Sequence, residues 1–181
     1  MKRELGITIL CMLLAIISAT AQKNYKGKNG KIKFFSAALL ENIEAESKLV
    51  SSLFNELTGE VAVLIPVKSF EFKKSLMQEH FNENYMESDK YPDASFSGNI
   101  VGLKSLKETP NQVANVSGIL TIHGVSKQRD LKVTLTFNAD GILTAKGSLM
   151  VKLEDHKIKI PSLLFQNIAE TVEVTFELLL K

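Results

Sequence analysis

The side chains that could do acid–base or metal chemistry in this chain are three histidines and the carboxylates beside them. His80 and Glu83 stand three residues apart, a spacing that puts two ligands on one side of a helix. Two are too few for zinc, whose sites recruit three or four protein groups. Asp89 lies further along, and His80, Glu83 and Asp89 are the set from which an enzyme reading would have to be built. His123 precedes Gly124 at the end of an alternating run, the position of a turn or rim residue rather than a base. His156, between Asp155 and Lys157, reads as a solvated strand end. No G-x-S-x-G, H-E-x-x-H, phosphate-binding loop or Cys/His pair is present. The expectation is a protein with no catalytic residue, no metal and no resident cofactor.

The elements that carry these residues are mostly strands. Residues 32–54 alternate, with Ile43, Ala45, Ser47, Leu49, Ser51 and Leu53 in one phase and Glu44, Glu46 and Lys48 in the other. Thr58-Gly59 marks a turn, and residues 61–67 follow as a run apolar on both faces, with Pro66 at its end. Ala94, Phe96 and Ile100 alternate with polar neighbours, as do Gly118, Leu120 and Ile122. Leu131, Val133, Leu135 and Phe137 lead into a turn at 138–141. Leu143, Ala145, Gly147, Leu149, Val151 and Leu153, and later Val172, Val174, Phe176 and Leu178, give two more half-buried strands.

One helix interrupts this pattern. Ser75 and Gln78 have capping-box spacing, and Met77, Phe81 and Tyr85 recur every four residues as an apolar stripe. That stripe is suited to covering the second face of residues 61–67 or to plugging the end of a barrel. Tyr91-Pro92 stops the helix and sets the start of the next strand. About eight antiparallel strands and one short helix make an all-β fold. A closed barrel and a two-sheet sandwich both satisfy its need to bury one face.

The amino terminus reads as an address. Lys2 and Arg3 precede an uncharged run at 6–17, and Ala19-Thr20-Ala21 supplies small residues for a signal peptidase. Residues 1–21 are expected to be a secretory signal peptide cut after Ala21, leaving a single domain at 22–181 in the periplasm or outside the cell. The only cysteine, Cys11, lies within the leader, so the mature domain holds itself together without disulfides. With 22 basic and 20 acidic residues the charge is nearly balanced. Nucleic acid is not an expected partner. Lys23, Lys26, Lys28, Lys31 and Lys33 fall close together. They read either as a solvated start to the first strand or as a site of transient contact with anionic lipid.

The inward phase is almost free of charge and contains small residues, among them Ala45, Ser47, Ser51, Gly98, Gly118, Ala145 and Gly147. An eight-stranded barrel is just wide enough to be filled by side chains or to hold one small ligand. Small uncharged inward residues tilt that balance towards an apolar cavity, while inward glycines equally mark strand bends; if there is a cavity, Gly147→Leu is expected to block it while sparing folding. The inward residues expected to meet a ligand are Phe34, Leu49, Phe96, Leu120, Leu135, Phe137, Leu149, Val174 and Phe176.

Two segments resemble the YceI-like family of exported lipid-binding proteins. His80-Phe81, residues 87–92 ending in Tyr91-Pro92, and the strand Ala94-Ser95-Phe96 are similar to its pattern of His-Leu, an acidic turn, Tyr-Pro and a strand with a central Phe. Residues 118–127, GILTIHGVSK, resemble its G-x-L-T-[LI]-H-G-V-[TS]-K signature closely. The chain departs from the family where Gln128-Arg129-Asp130 stand in place of a proline, where Asn84-Tyr85-Met86 replace Phe-Phe-Asp, and in an early strand without Trp. The resemblance implies an antiparallel eight-stranded, lipocalin-like β-barrel with a helix near one end. It also implies a polyisoprenoid or quinone-like chain in the interior and structural roles for His80, Tyr91, Pro92, His123 and Gly124. The alternative is a non-catalytic structural or stress-related barrel, packed solid. Neither reading sets an oligomeric state.

Overall fold

The computed structural model describes residues 24–37, 42–160 and 168–181. The leader read at 1–21 lies outside them. Among the described residues, period-two hydrophobicity yields nine antiparallel strands: β1 Asn24–Ser36, β2 Ile43–Asn55, β3 Glu60–Pro66, β4 Glu71–Phe72, β5 Asp93–Val101, β6 Asn111–Ile122, β7 Val125–Phe137, β8 Leu143–Lys152 and β9 Thr171–Leu180. Eight of them run in the order β1-β9-β8-β7-β6-β5-β3-β2, and β2 pairs back onto β1. The two-residue β4 takes over from β3 beside β2, with Phe72 opposite Ala45. The sheet is a closed eight-stranded barrel, and no long edge is left unpaired.

The seam between β1 and β2 is irregular, and this corrects part of the sequence reading. Gly27 faces Ser52, Gly30 faces Val50, and Ile32 faces Ser47, so each strand carries one extra residue within the seam. Each extra residue reverses the side-chain phase. Val50, Ser52 and Phe54 therefore turn inward, while Leu49 is 63% exposed and Leu53 is 41% exposed. Leu49 and Ser51, expected inside, lie outside. The glycine permits the close approach: a Cβ at Gly30 would sit 2.7 Å from Leu178 Cδ2 and 3.0 Å from Val50 Cβ.

The helix, α1, spans Ser75–His80 and continues as one wider π-turn over Phe81–Tyr85, closed by Met86 N–H donating to the Phe81 carbonyl. No capping box forms. Lys74 is the cap residue, and Gln78 Oε1 instead accepts from the Phe72 backbone N–H at 3.3 Å. Nor does α1 cover the outer face of β3, where Leu64 stays 44% exposed. It belongs to the β3–β5 connection and packs its Phe81 ring on Phe34, Phe70 and Phe72. Met86, Val67 and Ile158 form a small buried cluster with Phe81, Tyr85 and Leu153 beside it. The stripe thus spans the barrel end from the β1–β2 side to the turn after β8. At the opposite end Tyr25 stacks on Phe54 and meets the edge of Phe137, with the fully buried Leu106 nearby in the same core.

The β6–β7 hairpin turns on His123 and Gly124, with φ of 51° and 69°. Two successive positive φ values match the right-handed twist of the strands they join. A Cβ at Gly124 would lie 2.5 Å from Tyr91 Cε1, so glycine there serves both the turn and the packing of Tyr91. Gly124→Ala is expected to lower stability by about 1–2 kcal/mol from the backbone term alone, with the Tyr91 clash added. Gly102→Ala, at φ +68° with open space around it, isolates the backbone term. Urea unfolding of the two variants measures the difference.

Candidate functional site

A cavity of about 410 Å³ occupies the barrel interior. Its walls come from the inward phase of all eight long strands and from the α1 end. Among the described residues no aspartate, glutamate, lysine or arginine lines it, and the polar ones are Ser36, Ser52, His80 and Tyr85. Ser36 Oγ is already engaged, accepting from the Ala169 backbone N–H at 2.9 Å. Burial raises the Tyr85 phenol above its ordinary pKa, so it stays neutral. Such a chamber offers dispersion and dehydration and little else.

Of the nine inward residues read from the sequence, Phe34, Phe96, Leu120, Leu135, Leu149, Val174 and Phe176 line this space. Phe137 instead packs edge-on against Tyr25 at the closed end, and Leu49 lies outside. Val61, Val63 and Ile65 of β3 line the cavity as well. The apolar run at 61–67 hid which of its two faces points inward.

The inward glycines do not contribute empty space in the way their size suggests. Gly98 and Gly118 face each other across β5 and β6. A Cβ on either would press into the Phe96 ring, at 3.0 and 2.7 Å. A Cβ at Gly147 would meet Phe176 Cζ at 2.6 Å. At Gly147 the recess is filled by the Phe176 ring, while at Gly98 and Gly118 the facing backbone approaches closest, with Ser117 O and Ser97 O each 2.5 Å from a Cβ and the Phe96 ring beside them. Gly147→Leu would therefore displace Phe176 rather than simply fill a void.

At the mouth, His123 ties three connections together. Its Nε2 lies 2.8 Å from Glu87 Oε2, its Nδ1 lies 3.2 Å from the His156 carbonyl oxygen, and its ring meets Tyr91 edge-on at 4.5 Å. Both nitrogens face acceptors, so both contacts are hydrogen bonds only when both carry protons. Pro92 adds to the frame by accepting, through its carbonyl, from Val67 N–H at 2.7 Å. His80 sits exposed at the end of α1 on the cavity rim. Among the described residues no three His, Cys, Asp or Glu side chains gather as a metal site.

His156 overturns its sequence reading. It is fully buried, with Nδ1 3.0 Å from the Val125 carbonyl and Nε2 without a hydrogen-bond partner among the described residues. Its charged neighbours, Asp155 and Lys157, hid this. The chain turns at Lys157, with φ of 57°, after a short 3₁₀ turn that drives His156 inward.

A closed β-barrel with an apolar interior, capped by a short helix, defines a lipocalin-like cavity protein. The chain belongs to the family of YceI-like domains, whose model matches residues 17–180. Among solved structures it is similar to a polyisoprenoid-binding domain from Saccharophagus degradans implicated in plant cell wall breakdown. That match has 16% identity and a TM-score of 0.74, covering 88% of this chain and 98% of that one. BcnA of Burkholderia cenocepacia matches at 22% identity and a TM-score of 0.70, covering 83% of this chain and 95% of that one. A YceI protein of Campylobacter jejuni matches at 18% identity and 0.61, covering 77% and 85%. No curated protein sequence matches the chain.

Burial holds His156 below its ordinary pKa, the Val125 carbonyl opposing that shift in part and Arg129 adding to it. The folded protein therefore binds fewer protons here than the unfolded chain. Stability is fully present above the unfolded pKa near 6.5 and falls as pH drops through that value toward the lower folded one. Urea midpoints between pH 7 and pH 5 should show that fall, and His156→Leu should flatten it.

Proposed function

We propose that the protein is exported and holds one apolar chain, a polyisoprenoid or quinone-like lipid, inside its barrel for sequestration or transport. The carrying observation is the uncharged cavity of about 410 Å³. Left empty at about 24 cal/mol per Å³, a space of this size would cost ~10 kcal/mol, comparable to the whole net stability of a domain. Water gains little there, since it needs two to four polar partners. An apolar occupant removes the penalty, whereas the packed-barrel alternative has no place for so large a void. The Saccharophagus neighbour, described as polyisoprenoid-binding, supports the chain chemistry.

On this reading the protein works without catalysis. It transfers its cargo by meeting a membrane briefly, with no resident cofactor beyond the lipid. The leader at 1–21 directs export, and cleavage after Ala21 would be read by amino-terminal sequencing of the secreted protein.

Mass spectrometry of organic extracts from natively purified protein is expected to show a stoichiometric lipid; a lipid-free preparation with an intact fold would count against the proposal. Ala145, small and on the wall, is the position to fill. Ala145→Phe is expected to cost about 1–3 kcal/mol by overpacking and to abolish lipid retention. Leu49→Ser, on the outer face, should retain lipid as the parent chain does.

A further inference from the structure

The two ends of the chamber are built differently. At the end away from α1 its floor is Phe54, 2% exposed, ringed by Leu135, Leu143 and Leu180 at 2%, 1% and 3%. Leu53 also borders that end, from the outward phase of β2. Behind the floor stands a second layer that does not line the chamber: Tyr25 stacks on Phe54 at 5.9 Å, and Phe137 meets Tyr25 edge-on. The Tyr25 hydroxyl donates to Glu56 Oε2 at 3.2 Å, and Glu56 Oε1 accepts from the Leu106 N–H at 3.3 Å. That backing layer is anchored without help from Phe54. At the α1 end the lining residues Met77, Phe81 and Tyr85 are only half-buried and His80 is exposed. We infer that Phe54 is a length gauge: the apolar chain enters tail-first from the α1 end, its hydrocarbon terminus comes to rest on this ring, and the depth of the floor selects among chain lengths. The inference rests on the apolar-chain reading above.

The direction of entry follows from what the floor can bond. A ring and three leucines offer a hydroxyl or carbonyl no partner, so a polar head there would give up its water hydrogen bonds unreplaced. Ser52 is the polar lining residue near the floor, two positions before Phe54 on β2. Its Oγ is buried against β1, 2.7 Å from where a Cβ at Gly27 would stand. A hydrocarbon terminus loses nothing at such a floor. The length limit follows from what a rigid floor does to a long chain. A chain that fits hides all its apolar surface, whereas one that is too long leaves units in water at a cost that grows with each. Phe54 cannot yield to such a chain, because the Tyr25 ring is stacked behind it.

The test loads the delipidated full chain from vesicles that hold an equimolar series of prenyl alcohols, geraniol to solanesol, and counts the bound alcohols by mass spectrometry. Loading is expected to be similar up to one length and to fall about tenfold or more with each isoprene unit beyond it. Phe54→Ala removes a ring about the size of one isoprene unit and leaves Tyr25 as the new floor. The limit should then move up by one unit. Leu180→Phe, which thickens the floor, should move it down, and decides the matter if Phe54→Ala does not fold. Leu149→Ala, which enlarges the wall instead, should leave the limit where it is. A limit that stays put in folded Phe54→Ala, or that moves as far in Leu149→Ala, overturns the gauge and leaves the chamber reading standing. Loading without any length limit overturns it in the same way. Failure to load any alcohol overturns the chamber reading and the gauge with it.

Discussion

Everything in this structure depends on the pairing of β1 with β2. Seven other interstrand seams could leave a curled sheet with two open edges; this one turns the sheet into a tube. Closure forces all inward side chains to share one enclosed space, and it sets how much of that space they fill. The seam is also the least regular in the barrel, with a slip on each strand around Gly30. Closing the ring required a change of phase there. The outer surface near Leu49 and Leu53 and the inner wall at Val50 and Phe54 are two results of the same slip.

The fold was largely legible in the sequence because a half-buried strand writes its period directly into hydrophobicity. Runs such as Leu131 to Phe137 and Val172 to Leu178 fix both element and face. Legibility failed where the code became ambiguous. Leu49-Val50 and Leu53-Phe54 place apolar residues in both phases. The choice between them is made by a long-range pairing irregularity, whose one local trace is the glycine pair of β1. His156 failed for another reason: charged neighbours suggest solvent only while the backbone stays extended, and a 3₁₀ turn followed by a left-handed residue does not. The Ser75 box failed because Ser75 is already the first helical residue, with Lys74 as the cap, and Gln78 accepts from the Phe72 N–H instead.

The site itself was legible as a chemical character rather than as a set of residues. Absence of charge on the inward phase gave the nature of the chamber. Its mouth could not be read that way, since it is assembled from three connections distant in sequence. His123 is the clearest case: the signature that contains it is local, yet Glu87, Tyr91 and the His156 carbonyl arrive from two other loops. The histidine acts as a clasp between those loops. Each of its ring nitrogens lies within hydrogen-bond distance of an acceptor on another loop.

The rings of Phe96 and Phe176 lying over inward glycines carry a consequence for how such a barrel can diverge. The bore at those levels is set by a ring and a recess together. Enlarging the glycine without shrinking its phenylalanine pushes the ring into the lumen. Losing the ring without filling the recess exposes bare backbone to the lumen. Gly147 and Phe176 therefore behave as one heritable unit, whereas Gly98 and Gly118 are held by each other's backbone as much as by the Phe96 ring.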